Sequence, residues 1–187
     1  WKSLDRLEGV LETEFLRPVH LGETVLPYRA LDPKLAVIPC EAEAVLDPQG
    51  EEIDQYPGLA AWWRDANALW EKHRATDKLT LTQQLDYHGK LTSQFPIAPQ
   101  RVVYAKSGMH LAAARVVDHR AVFDHTLYWA AVHSTEEAHY LCAVLNSVAA
   151  TLAVRPLRPG GKQERPMDSC VCKVPIADFD EADPQDV

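Results

Sequence analysis

Residues 85–96 read LDYHGKLTSQFP, 101–118 RVVYAKSGMHLAAARVVD, 121–132 AVFDHTLYWAAV and 134–147 STEEAHYLCAVLNS, and together they decide the fold. Arg101 to Ala105 alternates and is rich in β-branched residues, which predicts a strand. Lys106-Ser107-Gly108 predicts a tight turn, and residues 110–117 and 121–132 predict a second and a third strand. Ser134 followed by Glu137 is a capping-box pair, and Ala138, Leu141, Leu145, Val148 and Leu152 fall on one helical face, so a helix is expected over residues 135–151. A sheet that feeds directly into an amphipathic helix implies an α+β fold: a mixed, mainly antiparallel sheet packed against helices, with a loop-rich C-terminal tail.

Upstream, Leu4, Leu7, Leu11 and Phe15 stand at helical spacing and predict a helix over residues 4–15. Pro18-Val19 and residues 22–39 read as short extended pieces bounded by Pro27, Pro33 and Pro39. Asp47-Pro48-Gln49-Gly50 is a polar turn, and Tyr56-Pro57-Gly58 opens a helix over residues 59–74 that carries Trp62, Trp63, Leu69 and Trp70. Downstream, residues 155–187 hold Pro156, Pro159, Pro166, Pro175 and Pro184, and Gly160-Gly161 reads as a turn. With 187 residues, 47% of them hydrophobic, the chain is long enough for one core, or one core with a small subdomain, and no apolar run approaches the length of a membrane span. The opening Trp1-Lys2-Ser3-Leu4-Asp5-Arg6 has no apolar signal stretch and reads as the interior of a longer protein. Cys40, Cys142, Cys170 and Cys172 are few and irregularly spaced, which fits a reduced cytoplasm.

Several ordered segments carry a family resemblance. Tyr104-Ala105-Lys106-Ser107-Gly108, Leu127-Tyr128-Trp129, Glu137-Ala138-His139-Tyr140-Leu141, Leu145-Asn146-Ser147 and Val174-Pro175-Ile176-Ala177-Asp178-Phe179-Asp180 resemble the C-terminal target-recognition (specificity) domain of adenine-specific DNA methyltransferases of restriction–modification systems. Gly22-Glu23-Thr24-Val25-Leu26-Pro27-Tyr28-Arg29 with Leu35-Ala36-Val37-Ile38-Pro39 is similar to the opening of that region. The tail departs from the pattern, with Gly160-Gly161-Lys162-Gln163-Glu164-Arg165-Pro166-Met167-Asp168-Ser169 before Val174-Pro175-Ile176-Ala177. The resemblance implies a linker or entry segment over residues 1–57, an α/β target-recognition core over 58–154 and a loop-rich acidic tail over 155–187. It also implies double-stranded DNA and a catalytic methyltransferase domain of the same parent chain as partners, with no membrane. The parent would use S-adenosylmethionine to methylate an adenine flipped out of the duplex.

The chain has neither a Gly-rich loop after a first strand nor an Asn/Asp-Pro-Pro-aromatic tetrapeptide, the features this class needs for its cofactor and its flipped adenine. The expectation is therefore a module that reads DNA while the chemistry, and the S-adenosylmethionine, belong to another part of the parent. A formal charge of −8 opposes nucleic-acid binding at first sight. Its distribution is uneven: residues 1–57 carry −7 and residues 176–187 carry −5, while 58–82, 83–131 and 132–175 carry +1, +2 and +1. A DNA-facing surface is thus expected within residues 83–175.

The polar run Gln83, Gln84, Tyr87, His88, Lys90, Ser93 and Gln94 supplies the groups for this readout. Glutamine bonds adenine bidentately, and lysine reaches guanine's acceptors or a phosphate. The bland alternative is a solvated loop before a strand. Lys106-Ser107-Gly108 presents either a charged tip and free backbone N–H groups for a phosphate or an ordinary hairpin turn. The expected DNA-binding set is Gln83, Gln84, Tyr87, Lys90, Gln94, Lys106 and Ser107. His110, His119, His125, His133 and His139 fall on different elements, so no metal site is expected. Cys170 and Cys172 alternate along an extended piece and are expected as free thiols on one face. His139 with Cys142 is no nucleophilic pair, because Cys142 belongs to the apolar helix face. The Trp62-Trp63 pair reads as core rather than as a platform for an extruded base.

Two other classes compete. One is a protein-interaction module that docks the catalytic domain to a partner subunit through residues 22–39 and the acidic tail. The other is a stand-alone small-molecule enzyme with a pocket between sheet and helix, which needs a convergent polar cluster. Under the favoured reading, calorimetric titration of this chain with S-adenosylmethionine gives no saturable heat, and the chain does not methylate DNA. A saturable cofactor signal would place the catalytic region within these residues.

Overall fold

In the computed structural model, which describes residues 6–157 and 168–182, the protein is α+β with a mixed, mainly antiparallel strand arrangement. Its strands are β1 (Leu16–His20), β2 (Val25–Leu26), β3 (Arg29–Ala30), β4 (Lys34–Val37), β5 (Cys40–Glu41), β6 (Ala44–Val45), β7 (Arg101–Ala105), β8 (Ala113–Val116), β9 (Val122–Phe123) and β10 (Leu127–Ala131). The helices are α1 (Pro57–His73), α2 (Leu81–Leu85), α3 (Thr135–Asn146), α4 (Val148–Val154) and α5 (Asp168–Val171). Two compact units form, one from Trp1–Arg17 with Leu35–Pro96 and one from Pro18–Lys34 with Ile97–Val187. This division differs from the expected segments, because the stretch 18–34 leaves the N-terminal part to join the second unit and the 58–154 core divides at Pro96.

The first unit is organised around α1. Pro57 sits in its first turn, where the fixed φ suits a helix and the missing N–H costs nothing. The carboxylate of Glu12 accepts hydrogen bonds from the next two backbone N–H groups, Gly58 N at 3.0 Å and Leu59 N at 2.8 Å. A Cβ on Gly58 would lie 2.6 Å from the Val10 carbonyl oxygen and 2.8 Å from Leu11 Cα, so only glycine lets the two backbones meet. Leu59, Ala60, Trp63 and Ala66 then bury against Phe15, Leu46 and Ile53, and the Trp63 indole donates to the Leu46 carbonyl at 3.0 Å. Trp62 is partly buried, its ring nearly parallel to that of Trp63 at 6.2 Å, which agrees with a packing role. The turn at Asp47 is present, closed by Gly50 N to Asp47 O at 3.0 Å.

The helix expected over residues 4–15 does not form. Leu4 lies outside the described residues; residues 6–12 are irregular, and only Thr13–Phe15 makes a 3-10 turn. Leu7 and Leu11 still pack on the core, but from an irregular backbone that brings Glu12 to the start of α1. The apolar spacing reported burial correctly and the backbone shape wrongly.

In the second unit β7 is the middle strand of an antiparallel sheet ordered β10-β7-β8, with Val103 opposite Ala114 on one side and Trp129 on the other. Consecutive side chains of a strand face opposite ways. Val102 accordingly joins Leu111 and Ala113 against Ala138, Cys142 and Leu145 of α3, while Val103 joins Ala114, Val116 and Leu127 against Val25, Ala121 and Phe123. The expected third strand is split. β9 pairs in parallel with β1 (Val19 with Val122, His20 with Phe123), and only β10 joins the sheet. Between them Asp124 Oδ1 accepts from Thr126 N at 2.9 Å, a local bond that turns the chain. The tight turn expected at Lys106-Ser107-Gly108 is instead the start of a longer loop, since β8 begins at Ala113.

Ser134 caps α3 by accepting from Glu137 N at 3.0 Å, as expected, while the Glu137 carboxylate accepts from His133 N, one residue before the cap. The helix stops at Asn146. Ser147 adopts an extended backbone (φ −67°, ψ 150°) and caps α4 through Ala150 N at 3.0 Å. The break turns the second half, so Leu145 is buried but Val148 is 74% and Leu152 55% exposed, and the single apolar face expected over both does not exist. Cys170 is buried and Cys172 exposed, because α5 ends between them and removes the alternation. Gly160-Gly161, Pro159, Pro166 and Pro184 lie outside the described residues.

Replacing Leu145 by Ala is expected to cost about 2–5 kcal/mol in chemical denaturation, and Val148→Ala less than about 0.5 kcal/mol. Gly58→Ala should also lower the denaturation midpoint, although alanine is the better helix former. Equal losses at Leu145 and Val148 would contradict the break at Ser147.

Candidate nucleic-acid interface

The expected DNA-binding residues divide between the units: Gln83, Gln84, Tyr87, Lys90 and Gln94 in the first, Lys106 and Ser107 in the second. The run 83–94 is folded tightly. Thr80 caps α2 by accepting from Gln83 N at 3.1 Å, and the Gln83 side-chain oxygen accepts from Thr80 N at 3.0 Å, so a reciprocal capping box occupies one end of that amide. Asp86, which sequence reasoning passed over, organises the next turn. Its carboxylate accepts from Leu91 N at 2.9 Å, Thr92 N at 3.0 Å and Thr92 Oγ1 at 2.7 Å. Within that clip His88 and Gly89 take left-handed backbone (φ 59° and 66°), and the Tyr87 and His88 rings meet at 4.1 Å.

The clip sorts the candidates. Gln84, Tyr87, His88, Lys90 and Ser93 are exposed, and Lys90 makes no ion pair among the described residues. Gln94 is the correction: it is 2% exposed, and its Nε2 donates to the Lys90 carbonyl at 3.0 Å, so it closes the loop and reaches no base. A buried amide needs a partner, and the carbonyl four residues back supplies it. In the second unit Lys106 Nζ lies 4.4 Å from the Tyr128 ring centre, and its backbone N donates to Thr126 O at 2.9 Å. Tyr128 stacks in turn on Tyr104 at 5.5 Å, and Ser107 is exposed beside them.

The mild positive charge of residues 83–131 is not all on the surface. Arg101, counted in it, is wholly buried: Nη2 donates to the carbonyls of Asp118 at 2.9 Å and Ala121 at 2.7 Å, and the guanidinium lies 4.3 Å from the Phe123 ring centre. Burial lowers its pKa to about 10, with the Asp118 charge opposing, so it remains a cation at neutral pH but holds the 118–121 loop rather than a phosphate. Arg115 is half-buried, its Nε and Nη2 both donating to Gln100 Oε1 at 3.0 and 2.8 Å. The other cations of that stretch are Lys90, Lys106 and Arg120, of which Lys90 and Arg120 are exposed.

Two concavities stand out. In the first unit about 210 Å³ lies among Trp62, Trp63, Trp70, His73 and Leu81. In the second about 480 Å³ is lined by Tyr28, Arg115, Val117, His139 and Cys142. Burial pushes the Cys142 thiol up to about 11, so it is protonated at neutral pH and no nucleophile. Among the described residues no three His, Cys, Asp or Glu side chains converge on a possible metal position. No single described helix is long and apolar enough to cross a membrane.

His20 is a further titratable group that the sequence did not single out. It is buried, with Nδ1 3.1 Å from Thr24 Oγ1, and its pKa is lowered by burial and by the Arg101 charge, against a smaller opposite effect of Asp118. A depressed histidine makes the folded state prefer the neutral ring. Its share of stability is complete above the unfolded value of about 6.5 and is lost as pH falls toward the folded pKa. Urea midpoints at pH 7.5 and 5.5 should therefore drop more for the wild-type chain than for His20→Gln. Identical drops would remove His20 from the acid response.

No protein-family model matches the chain, and no curated protein matches it.

Proposed function

We propose that the chain is a target-recognition module for double-stranded DNA, acting with a separate S-adenosylmethionine-dependent methyltransferase domain that modifies adenine. The observation that carries the reading is the end of α2 with the Asp86-clipped loop after it, where Gln84 on the helix and Tyr87, His88 and Lys90 on the loop are exposed and Lys90 has no acidic partner among the described residues. An amide on a helix, followed by two rings and a cation on a clipped turn, are groups that contact base edges and phosphates. Lys106 with Ser107 offers a second, separate contact, positioned by its backbone bond to Thr126. The ordered segments that resemble specificity domains support the same reading. Catalysis by this chain is not part of the proposal.

One observation favours the docking alternative. Leu26 and Tyr28 of the β2–β3 hairpin are exposed in the second unit, as is Leu35 in the first, within the stretch singled out for partner contact. Single exposed apolar residues are common on soluble proteins, so this stands second.

The test compares two substitutions in the full-length protein. Lys106→Ala should weaken binding to all duplexes about equally and lower the salt slope by about one. Gln84→Ala should leave the slope unchanged and relax preference at one base pair by about 1–3 kcal/mol. Unchanged affinity, slope and site preference in both variants would move the docking reading ahead.

A further inference from the structure

The 480 Å³ cavity of the second unit is not absorbed by the DNA-reading loop. It lies where β8 and α3 converge: Arg115 and Val117 come from the β8 side, His139 and Cys142 from α3, and Tyr28 from the turn between β2 and β3. Small-molecule sites run to about 300–1,000 Å³, so the space exceeds what a bare inorganic anion needs.

The charge state of the lining is one-sided. Arg115 brings a guanidinium to it, no carboxylate lines it among the described residues, and the Cys142 thiol is protonated. Arginine has five N–H donors in a planar fork. Here Nε and Nη2 are both spent on the neutral Gln100 Oε1, and Nη2 also reaches Thr135 Oγ1 at 3.2 Å. Both edges of the fork that would grip a planar carboxylate side by side are thereby engaged, leaving the Nη1 hydrogens with no partner among the described residues. Gln100 and Thr135 are themselves joined at 3.3 Å, so the guanidinium is held in place by neutral groups and keeps its full charge for a ligand. The His139 ring on α3 brings a second polar group to the cavity, from a different element than Arg115. Donors from several directions suit a tetrahedral oxyanion better than a flat one.

Tyr28 is the second central residue of the two-residue Pro27-Tyr28 turn that joins β2 to β3, which accounts for its left-handed backbone (φ 64°), and its N–H donates to the Ala113 carbonyl at 2.8 Å. The ring is 63% exposed. With Val117 it forms an apolar wall on the cavity.

We propose that the cavity between β8 and α3 binds a phosphate monoester or diester, with Arg115 and His139 on the phosphate and Tyr28 and Val117 against the flat group that carries it, which makes a nucleotide the fitting class of ligand. The proposal stands whether or not the loop at Asp86 reads DNA. The nucleotide is either free or part of a strand, and the two sources are separable.

Calorimetric titration of the full chain with thymidine 5′-monophosphate should give saturable binding, and thymidine none. His139→Ala changes an exposed helical position and should weaken the monophosphate several-fold at an unchanged melting temperature. Arg115→Gln should weaken it by about tenfold or more. A short duplex that displaces the monophosphate identifies the strand as the source; failure to displace identifies the free nucleotide. The proposal is overturned if the monophosphate does not bind, if thymidine binds equally well, or if His139→Ala leaves the affinity unchanged.

Discussion

The second unit depends on one side chain, Asn146. Its Nδ2 donates to the carbonyls of Ala113 at 2.9 Å and Cys142 at 2.8 Å, and its Oδ1 accepts from Ala113 N at 2.8 Å. Both backbone groups of a β8 residue are thus tied to the last residue of α3, which sets where helix and strand meet. The same Ala113 carbonyl receives the N–H of Tyr28. Arg115 follows two residues along β8, and Cys142 and His139 precede Asn146 by one and two turns of α3, so the clamp also determines which side chains face the cavity. A half-buried amide that makes three bonds to backbone groups is costly to replace, because the groups it leaves without a partner lose those bonds.

The first unit uses the same device with different groups. Glu12 holds the start of α1 through two N–H bonds, and Asp86 holds the turn after α2 through three. Carboxylates at a helix start and at a turn are favourable because the unpaired N–H groups there carry partial positive charge. For Glu12, burial works against ionisation, but bonds from its own backbone and from Leu59 and Gly58 outweigh it and hold the carboxyl below its ordinary range. These acids contribute to the chain's negative total without facing a partner, just as Arg101 contributes to the positive count without reaching the surface. Net charge per segment therefore describes the electrostatic surface poorly in this protein.

What could be read from the sequence was set by near neighbours. β7 follows from its own alternation, the start of α3 from Ser134 and Glu137 three residues apart, the start of α1 from Pro57-Gly58, and the turn at Asp47 from its own side chain. What could not be read depends on distant partners. Ser147 is no strong helix breaker, and α3 ends where Asn146 meets Ala113, 33 residues away. Gln94 looks like a solvated polar residue until the Asp86 clip folds Lys90 back over it. Arg101 opens a strand like any surface cation, and only the 118–121 loop wraps it. The cavity joins residues 28, 115, 117, 139 and 142, which no local pattern connects. Of the seven residues expected on DNA, Gln84 near the end of α2 and Tyr87 and Lys90 on the loop after it are exposed; Gln83 is half-engaged in a cap and Gln94 is buried.

The central claim is that this chain contacts DNA through phosphates as well as bases. The most direct measurement is the affinity of the wild-type chain for duplex DNA as a function of salt concentration. The account predicts a linear fall of log K with log salt, at a slope of about −0.9 for each phosphate neutralised. A binding constant that does not change with salt, or the absence of any duplex binding at low salt, would contradict it.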